Sequence, residues 1–118
     1  AQRYIGALSC LPLQMPPMPN TGDTHAWHVF SVLIDDNAAL SRNAFIEAMA
    51  ERGIGCSVHF IPLHLQPYWR ESYALNADDF AVAQSVFERQ VSLPLYTKMT
   101  EQDQNRVIDA IREILSYV

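Results

Sequence analysis

The sequence predicts a single domain of the α/β (α+β) class, in which a small sheet packs against helices. A chain of 118 residues can enclose one compact core but has no room for a second. Short apolar runs alternate along it with segments whose apolar residues recur every three or four positions. A cluster of prolines separates residues 1–24, a helix remnant and Pro-rich connector, from a single small domain at 25–118.

The N-terminal segment predicts a short helix followed by an extended arm. Tyr4, Ile5 and Leu8 fall on one helical face. The chain starts without Met and this helical pattern is already under way at the first residues, so we expect it to be a piece of a longer protein. The prolines exclude helix and sheet interior from residues 11–24, which predicts a connector there.

The middle of the chain predicts a strand followed by a helix. Residues 25–34 form an apolar run that fits a strand buried on both faces for part of its length. Ser41 is the predicted N-cap of a helix at 42–52, which carries an apolar stripe at spacings of three and four. Gly53 supplies the left-handed residue that commonly follows a helix.

A second strand is predicted at 55–60, with the β-branched Val58 in the core, so that the three elements form a strand-helix-strand unit. An aromatic loop is predicted at 67–76, before a helix at about 79–90. The side chains that this helix would turn inward are Phe80, Ala83 and Phe87.

The C-terminal part predicts an extended segment and a long helix. Pro94 restricts residues 92–96 to a sheet edge or a short bridge. Thr100 and Asp103 predict a capped start for the last helix, because their spacing resembles a capping box. The apolar face of this helix consists of Val107, Ile111, Ile114, Leu115 and Val118.

Charge and composition narrow the partners and the compartment. The net charge of −5, with only 8 basic residues along the chain, predicts binding neither to nucleic acid nor to an anionic membrane. No apolar run is long enough to span a bilayer, and the N-terminus lacks signal-peptide zones. The expected location is therefore cytoplasmic, where Cys10 and Cys56 are expected as free thiols.

A zinc site and a Cys-His nucleophilic pair are the two specific chemical functions to weigh for the residues around Cys56. Cys56, His59 and His64 are residue types that zinc accepts, but a closed site needs four ligands in suitable spacings. The structural alternative places Cys56 and Val58 in the core and the histidines in hydrogen bonds at the strand end. A Cys56–His59 pair is not expected, because residues three apart on a strand point to opposite faces.

Other polar and aromatic residues have simple structural explanations beside functional ones. His25 and His28 flank the start of the first strand, where histidines line a pocket or serve the fold. Tyr68 and Trp69 would offer a stacking platform for a base or sugar, or cover a core or an interface. The solvated helix charges are Asp78, Asp79 and Glu88.

The sequence lacks the parts of a complete active site. It has no Gly-rich phosphate loop and no Gly-x-Ser-x-Gly nucleophile elbow. Its single lysine, Lys98, falls in a predicted turn before the last helix. No catalytic residue is therefore assigned to this chain.

Three motifs, in order, carry a resemblance to a known family. They are the residues His25-Ala-Trp-His-Val-Phe, the stretch from Arg42 to Pro67 that includes Gly-Ile-Gly-Cys-Ser-Val-His-Phe-Ile-Pro-Leu-His, and Ser92-Leu-Pro-Leu-Tyr before the terminal helix. Together they look like the C-terminal (small) domain of DegT-type sugar aminotransferases, which depend on pyridoxal phosphate (PLP). The resemblance covers nearly all of the chain but only about the last third of such an enzyme.

The resemblance implies a fold and a division of labour. The fold is a small antiparallel or mixed sheet with helices packed on one side, like the C-terminal domain of aspartate-aminotransferase-fold enzymes. The family acts on keto sugars linked to nucleotides, as in polysaccharide biosynthesis, with glutamate as amino donor. This chain would help to close the substrate site and to form a homodimer, and it would be inactive alone.

The cofactor belongs elsewhere in the family. The Schiff-base lysine, the aspartate that faces the pyridine nitrogen and most phosphate contacts lie in the N-terminal PLP-binding domain. That domain is the missing partner implied for this chain, so PLP is expected in the parent enzyme and not on this chain alone. Lys98 does not lie in the family's lysine motif.

The family's His-aromatic-x-Pro-Leu-His segment matches His59, Phe60, Pro62, Leu63 and His64. In whole enzymes it lies near the sugar-nucleotide site at a domain and subunit boundary. His59, His64 and Phe60 are therefore the expected substrate-binding residues, with Phe60 where tyrosine is common. The structural alternative gives the histidines a packing role across the domain boundary.

A different function class is compatible with the same elements. A free-standing ligand-binding or regulatory domain of ferredoxin-like type would hold a small metabolite beside His59 and Trp69. A pocket walled entirely by this chain would favour that module. An open half-pocket beside a bare apolar surface would favour the aminotransferase domain.

Overall fold

A computed structural model describes residues 1–116 and contains five α-helices, two short 3-10 helices and one sheet in that range. The helices are α1 (Gln2–Leu8), α2 (Arg42–Glu51), α3 (Pro67–Tyr73), α4 (Ala81–Arg89) and α5 (Glu101–Ser116), and the 3-10 helices are Leu63–Leu65 and Ala77–Phe80. The strands are β1 (Leu13–Gln14), β2 (Phe30–Ile34) and β3 (Gln90–Leu93). They form an antiparallel sheet in the order β1-β2-β3.

The hydrophobic core lies on one face of the sheet. Side chains alternate along a strand, so Phe30, Val32 and Ile34 of β2 are buried while the residues between them are only partly so. Helices α1, α2 and α5, together with strand β3, contribute most of the other large buried side chains. The predicted class, a small antiparallel sheet with packed helices, is confirmed. Among residues 1–116, every helix is too short or too polar to cross a bilayer.

Local capping explains the two helices that were predicted best. The Ser41 hydroxyl accepts a hydrogen bond from the Ala44 amide over 3.3 Å at the start of α2, and Gly53 follows the helix with a φ of 69°. The Asp103 amide donates to the Thr100 hydroxyl over 3.1 Å at the start of α5. On α5, Val107, Ile111 and Leu115 are buried and Ile114 is partly buried, whereas Val118 lies outside the described residues.

The N-terminal segment differs in part from its prediction. Helix α1 forms, and Tyr4 and Leu8 lie in the same core as the rest of the chain. The connector contains strand β1, in which Leu13 pairs with Ile34. Because β1 lies at the sheet edge, it avoids the sheet interior that the prolines forbid. The division at residue 24 stays a prediction.

The first predicted strand is too long. It begins at Phe30 and not at residue 25, because Trp27 adopts a φ of 47°, which interrupts an extended strand. Its expected burial on both faces is also wrong, since Ser31 and Leu33 are only partly buried.

The predicted strand at 55–60 is wrong. Only Ser57 pairs there, in an isolated bridge with Ser92, and Val58 is 48% exposed instead of buried. The strand-helix-strand unit is therefore also wrong, since the strand that follows α2 is β3, which runs antiparallel to β2. The extended segment predicted at 92–96 corresponds to β3, two residues earlier and at the named edge of the sheet.

The predicted aromatic loop at 67–76 is largely helix α3. Pro67 occupies its first turn, where a missing amide hydrogen costs nothing, and Ala74 ends it with a φ of 51°. Helix α4 forms as predicted, but its inward face is wrong, because Phe80 and Ala83 are exposed and Phe87 is only partly buried.

Candidate functional site

Three serines lie side by side across the sheet. Ser31 on β2 pairs with Ser92 on β3, and Ser92 pairs with Ser57. The Ser57 amide donates to the Ser92 carbonyl over 3.1 Å, and the Ser92 amide donates to the Ser57 carbonyl over 2.8 Å. Directly paired residues project to the same face of an antiparallel sheet. Since Val32 and Val91 project into the core, this serine row (Ser31, Ser57 and Ser92) lies on the opposite, outer face.

His59 is attached to this outer face. It follows Ser57 by two residues, and its Nε2 lies 3.1 Å from the Ser31 hydroxyl oxygen. The Ser31 oxygen is in turn 2.8 Å from the Ser92 hydroxyl oxygen. A chain of hydrogen bonds therefore runs from Ser92, which is 7% exposed, to the ring of His59 at the surface.

Phe60 and His64 have opposite environments. Phe60 is 84% exposed, which is unusual for a large apolar side chain. His64 lies in the 3-10 helix Leu63–Leu65 and is only 4% exposed. Its Nε2 is 3.1 Å from Oε1 of Gln84, and its ring stacks on Phe80 with centroids 4.9 Å apart. His64 is thus a packed and hydrogen-bonded side chain in this chain.

The three expected substrate-binding residues are therefore not brought together into one closed site. His59 is held on the sheet by Ser31, Phe60 projects into solvent, and His64 faces α4 through Gln84. The side chains of His59 and Phe60 are exposed to solvent, whereas the buried His64 side chain holds the segment in place through Gln84 and Phe80.

Most exposed large apolar side chains of the described residues lie in one stretch, which we call the apolar segment 58–82. Nine of the twelve fall there, namely Val58, Phe60, Ile61, Leu63, Tyr68, Trp69, Tyr73, Phe80 and Val82. The rings of Trp69 and Tyr73 stack with centroids 5.4 Å apart, and Tyr68 meets Trp69 edge to face at 5.6 Å. Scattered exposed apolar residues are ordinary, but such a concentration is typical of a surface that another protein segment covers.

Two open clefts border the serine row. One, of about 250 Å³, has Ser31 and Leu33 on its floor and lies between Pro17 of the connector and Val86 of α4. The other, of about 270 Å³, adjoins Ser57 and Ser92 and includes His28 and Cys56. Both are half-pockets on the surface of the chain.

Cys56 is a partly buried thiol with a raised pKa. Burial raises the pKa of its thiol to about 11, so the neutral form persists at physiological pH. Within residues 1–116, no three His, Cys, Asp or Glu side chains come together as metal ligands. The zinc alternative therefore has no ligand set in this range. Both cysteines of the chain are free thiols in the structure, as predicted.

His25 has a local structural role, whereas His28 lies on a cleft. The Trp27 amide donates to Nδ1 of His25 over 2.9 Å, and the two rings stack with centroids 3.9 Å apart. The ring of Trp27 also packs against the ring of Phe30, with centroids 5.8 Å apart, and so connects this turn to the core. These contacts stabilise the left-handed turn before β2.

The surroundings of Lys98 do not fit a PLP site. Lys98 is exposed in the turn between β3 and α5, next to Met99 and Thr97. PLP chemistry needs an imine lysine held in an enclosed site, with an acid partner at the pyridine nitrogen. An exposed turn supplies neither enclosure nor a partner, so no step of catalysis is assigned to this residue.

Sequence reasoning missed the serine row, because its members are 61 residues apart at the extremes. Serine is common on outer strand faces, and only the register of β2, β3 and residue 57 brings the three together. The Ser57 position, two residues before His59 on a predicted strand, was the one available signal.

Comparison with known proteins places nearly all of the chain in one family. The family model described as the DegT/DnrJ/EryC1/StrS aminotransferase family matches residues 1–112. The spore coat polysaccharide biosynthesis protein SpsC of Bacillus subtilis is 37% identical over 117 residues, which cover 98% of this chain and 30% of SpsC. The uncharacterized protein MJ1066 of Methanocaldococcus jannaschii is 45% identical over 93 residues, 78% of this chain and 24% of MJ1066. The chain thus spans less than a third of these relatives.

Solved structures agree with the observed fold. DesV of S. venezuelae, solved in complex with a ketimine intermediate, superposes with a TM-score of 0.85 at 28% identity, over 99% of this chain and 30% of DesV. The PMP form of the sugar aminotransferase Spr1654 from Streptococcus pneumoniae also gives 0.85, at 20% identity, over 98% of this chain and 29% of that one. At 20% identity the likeness to Spr1654 shows the fold alone.

Proposed function

The chain belongs to the DegT/DnrJ/EryC1/StrS aminotransferase family, and from this premise we propose that it is the C-terminal domain of a PLP-dependent nucleotide-sugar aminotransferase. In that role it contributes to closing the substrate site and to forming a cytoplasmic homodimer. It is inactive without the N-terminal domain that carries the cofactor. The name of SpsC, a polysaccharide biosynthesis protein, supports polysaccharide precursors as the products.

One observation carries the proposal: the apolar segment 58–82 is exposed in a chain that spans less than a third of its relatives. Covering one fully exposed Leu or Phe side chain contributes roughly 1.5–3 kcal/mol, so leaving several in water is costly. The missing domain and a second subunit are the proposed cover. The half-pockets beside the serine row support the same interpretation, since each lacks walls that another domain would provide.

We assign the substrate contacts to the segment that contains His59, Phe60 and His64. His59 offers a ring nitrogen at the surface, and Phe60 offers an apolar face that a base or sugar ring can contact. His64 acts in this proposal from inside, by holding the segment against Gln84 and Phe80. PLP itself is bound by the missing domain in this proposal, and the match to the aminotransferase family supports its use in the parent enzyme.

A chimera tests the proposal. The part of SpsC that aligns with this chain is replaced by the chain, and bound PLP, subunit number and glutamate-dependent conversion of PLP to PMP are measured. We expect a dimer that binds PLP and reacts with glutamate, while the chain alone does neither. Conversion back to PLP by a panel of UDP- and dTDP-linked keto sugars then identifies the acceptor class.

The free-standing ligand-binding module predicts a different result. In that case the isolated chain binds one of the same nucleotide sugars, or free PLP, with one-to-one stoichiometry in calorimetry. Borohydride treatment in the presence of PLP, followed by intact-mass analysis, would then show a saturable adduct on Lys98 if the binding involved an imine. Either result overturns the proposed domain role.

A further inference from the structure

We infer that Ser31 and Ser92 are positioning residues, which hold the His59 ring in the tautomer that carries its hydrogen on Nδ1, the nitrogen that we assign to the substrate. The inference rests on the proposed function, because it assigns His59 a substrate-facing role. It adds two residues that are distant in sequence from the His-aromatic-x-Pro-Leu-His segment and belong to different strands.

The register of the sheet explains why these residues meet. Ser57 is tied to Ser92 by two backbone hydrogen bonds of 3.1 and 2.8 Å, in a segment that has no regular structure on either side. His59, two residues later, is fixed by a second attachment, the 3.1 Å contact of its Nε2 with Ser31. Two attachments within three residues restrict both the backbone and the ring, although the ring itself remains at the surface.

We assign the hydroxyl chain a direction that starts at Ser92. Ser92 is 7% exposed, and its hydroxyl satisfies its hydrogen-bonding need through the Ser31 oxygen at 2.8 Å. If Ser92 donates to Ser31, the Ser31 hydrogen is free to be donated to Nε2 of His59. A neutral imidazole that accepts at Nε2 carries its hydrogen on Nδ1. The ring then presents a donor, which suits the acceptor oxygens of a sugar or phosphate.

This geometry separates positioning from general stability. Serine at position 31 is on the outer face, where a smaller or β-branched residue fits the strand without disturbing the core. The substitution Ser31→Thr keeps the hydroxyl, whereas Ser31→Ala removes it at nearly unchanged volume. The role therefore depends on one oxygen atom and not on packing.

Nitrogen-15 spectroscopy of the imidazole rings tests the tautomer directly in this chain, labelled at histidine and kept at alkaline pH so that the rings are neutral. We expect His59 in the Nδ1–H form, and a shift toward the Nε2–H form in Ser31→Ala and Ser92→Ala. Ser31→Thr restores the original signals, and Ser9→Ala, at an exposed serine after α1, leaves them unchanged. A His59 ring already in the Nε2–H form in the unaltered chain, or unmoved by Ser31→Ala, overturns the inference.

The chimera gives the second readout. Ser31→Ala is expected to raise KM for the keto-sugar nucleotide roughly fivefold, the value of about one hydrogen bond, with PLP content and the glutamate reaction unchanged. Loss of PLP or of the dimer in the unaltered chimera would count against the proposed function, while the spectroscopic result would still stand or fall by itself. An unchanged KM together with an unchanged tautomer overturns the positioning role.

Discussion

The Tyr4 hydroxyl donates a hydrogen bond to the Pro94 carbonyl oxygen over 2.9 Å, and so joins the first helix to the end of β3 across 90 residues of sequence. Tyr4 is completely buried, and its ring lies against Phe30 at a centroid distance of 5.1 Å. This contact integrates α1 into the core, although the connector between them is mostly irregular. The N-terminal helix is therefore structurally part of the packed unit.

Replacing Tyr4 by Phe tests that contact. The change keeps the ring but leaves the Pro94 carbonyl without its partner, so we expect the free energy of unfolding to fall by about 1 kcal/mol, or somewhat more if no water replaces the hydroxyl. Urea denaturation followed by circular dichroism measures the loss. Tyr96→Phe, at a side chain that is 54% exposed, is the matched control. An equal effect of both changes would contradict the assigned role of the bond.

Because of Cys56, we expect the free energy of unfolding to fall as the pH rises into the alkaline range. Burial raises the pKa of its thiol from 9.0 to about 11, while the unfolded chain keeps the ordinary value. The stability contribution of the neutral thiol is therefore complete below pH 9.0 and lost as the pH rises toward about 11. We expect Cys56→Ala to flatten the decline of the unfolding free energy in that interval, and Cys10→Ala, at an exposed thiol, to leave it unchanged.

Because of Asp103, we expect stability to fall as the pH decreases into the acidic range, which is the opposite pH direction from Cys56. Hydrogen bonds from the Thr100 hydroxyl and amide lower the pKa of its carboxyl. The ionised cap stabilises α5 above the unfolded pKa of about 4, and this contribution is lost as the pH falls through the lower, folded value. Asp103→Asn should weaken the acid dependence of the thermal midpoint, while Asp109→Asn on the same helix serves as the control. No difference between the two profiles would contradict the cap.

The apolar segment 58–82 predicts self-association of the isolated chain. Phe60 is 84% exposed and projects beside His59, so Phe60→Ser should reduce the concentration-dependent increase in sedimentation coefficient. Met18→Ser removes a side chain that is 56% exposed but lies in the connector, and it should have little effect. If Met18→Ser reduced association as much as Phe60→Ser, the segment would have no special role.

Elements with local signals could be predicted, and elements that depend on distant partners could not. Helices α2 and α5 have their caps, Ser41 and Thr100, within the same few residues, and both were placed within one or two positions. The loop predicted at 67–76 begins at Pro67, and proline also favours the first turn of a helix, which is how α3 begins. The same local pattern admits both outcomes.

The segment at 55–60 shows the other limit. Its composition fits a strand, but a strand needs a partner, and β3 offers hydrogen bonds to it only at Ser57. Val58 is exposed as a consequence, and the candidate site depends on a register that no local pattern contains. The family motif identified His59, Phe60 and His64, yet their different burial became visible only in three dimensions.

His59 and His64 should respond differently to removal, and this difference tests the candidate site most directly. His64 is 4% exposed, with its Nε2 3.1 Å from Gln84, so His64→Ala removes packing and leaves a polar group without a partner. We expect the unfolding free energy to fall by roughly 1–3 kcal/mol. His59 lies at the surface, and His59→Ala should change the unfolding free energy by no more than about 0.5 kcal/mol.

In the chimera we expect the reverse order: His59→Ala should affect substrate binding more directly than His64→Ala does. His59→Ala is expected to raise KM for the keto-sugar nucleotide while the thermal midpoint stays constant, because the proposed function places the exposed ring against substrate and not in the core. His64→Ala should lower the thermal midpoint first, with a KM effect that follows the loss of the folded segment. His64→Gln, which can still reach Gln84, should recover part of the stability. A large stability loss from His59→Ala, with no change in KM, would reassign that histidine to the fold.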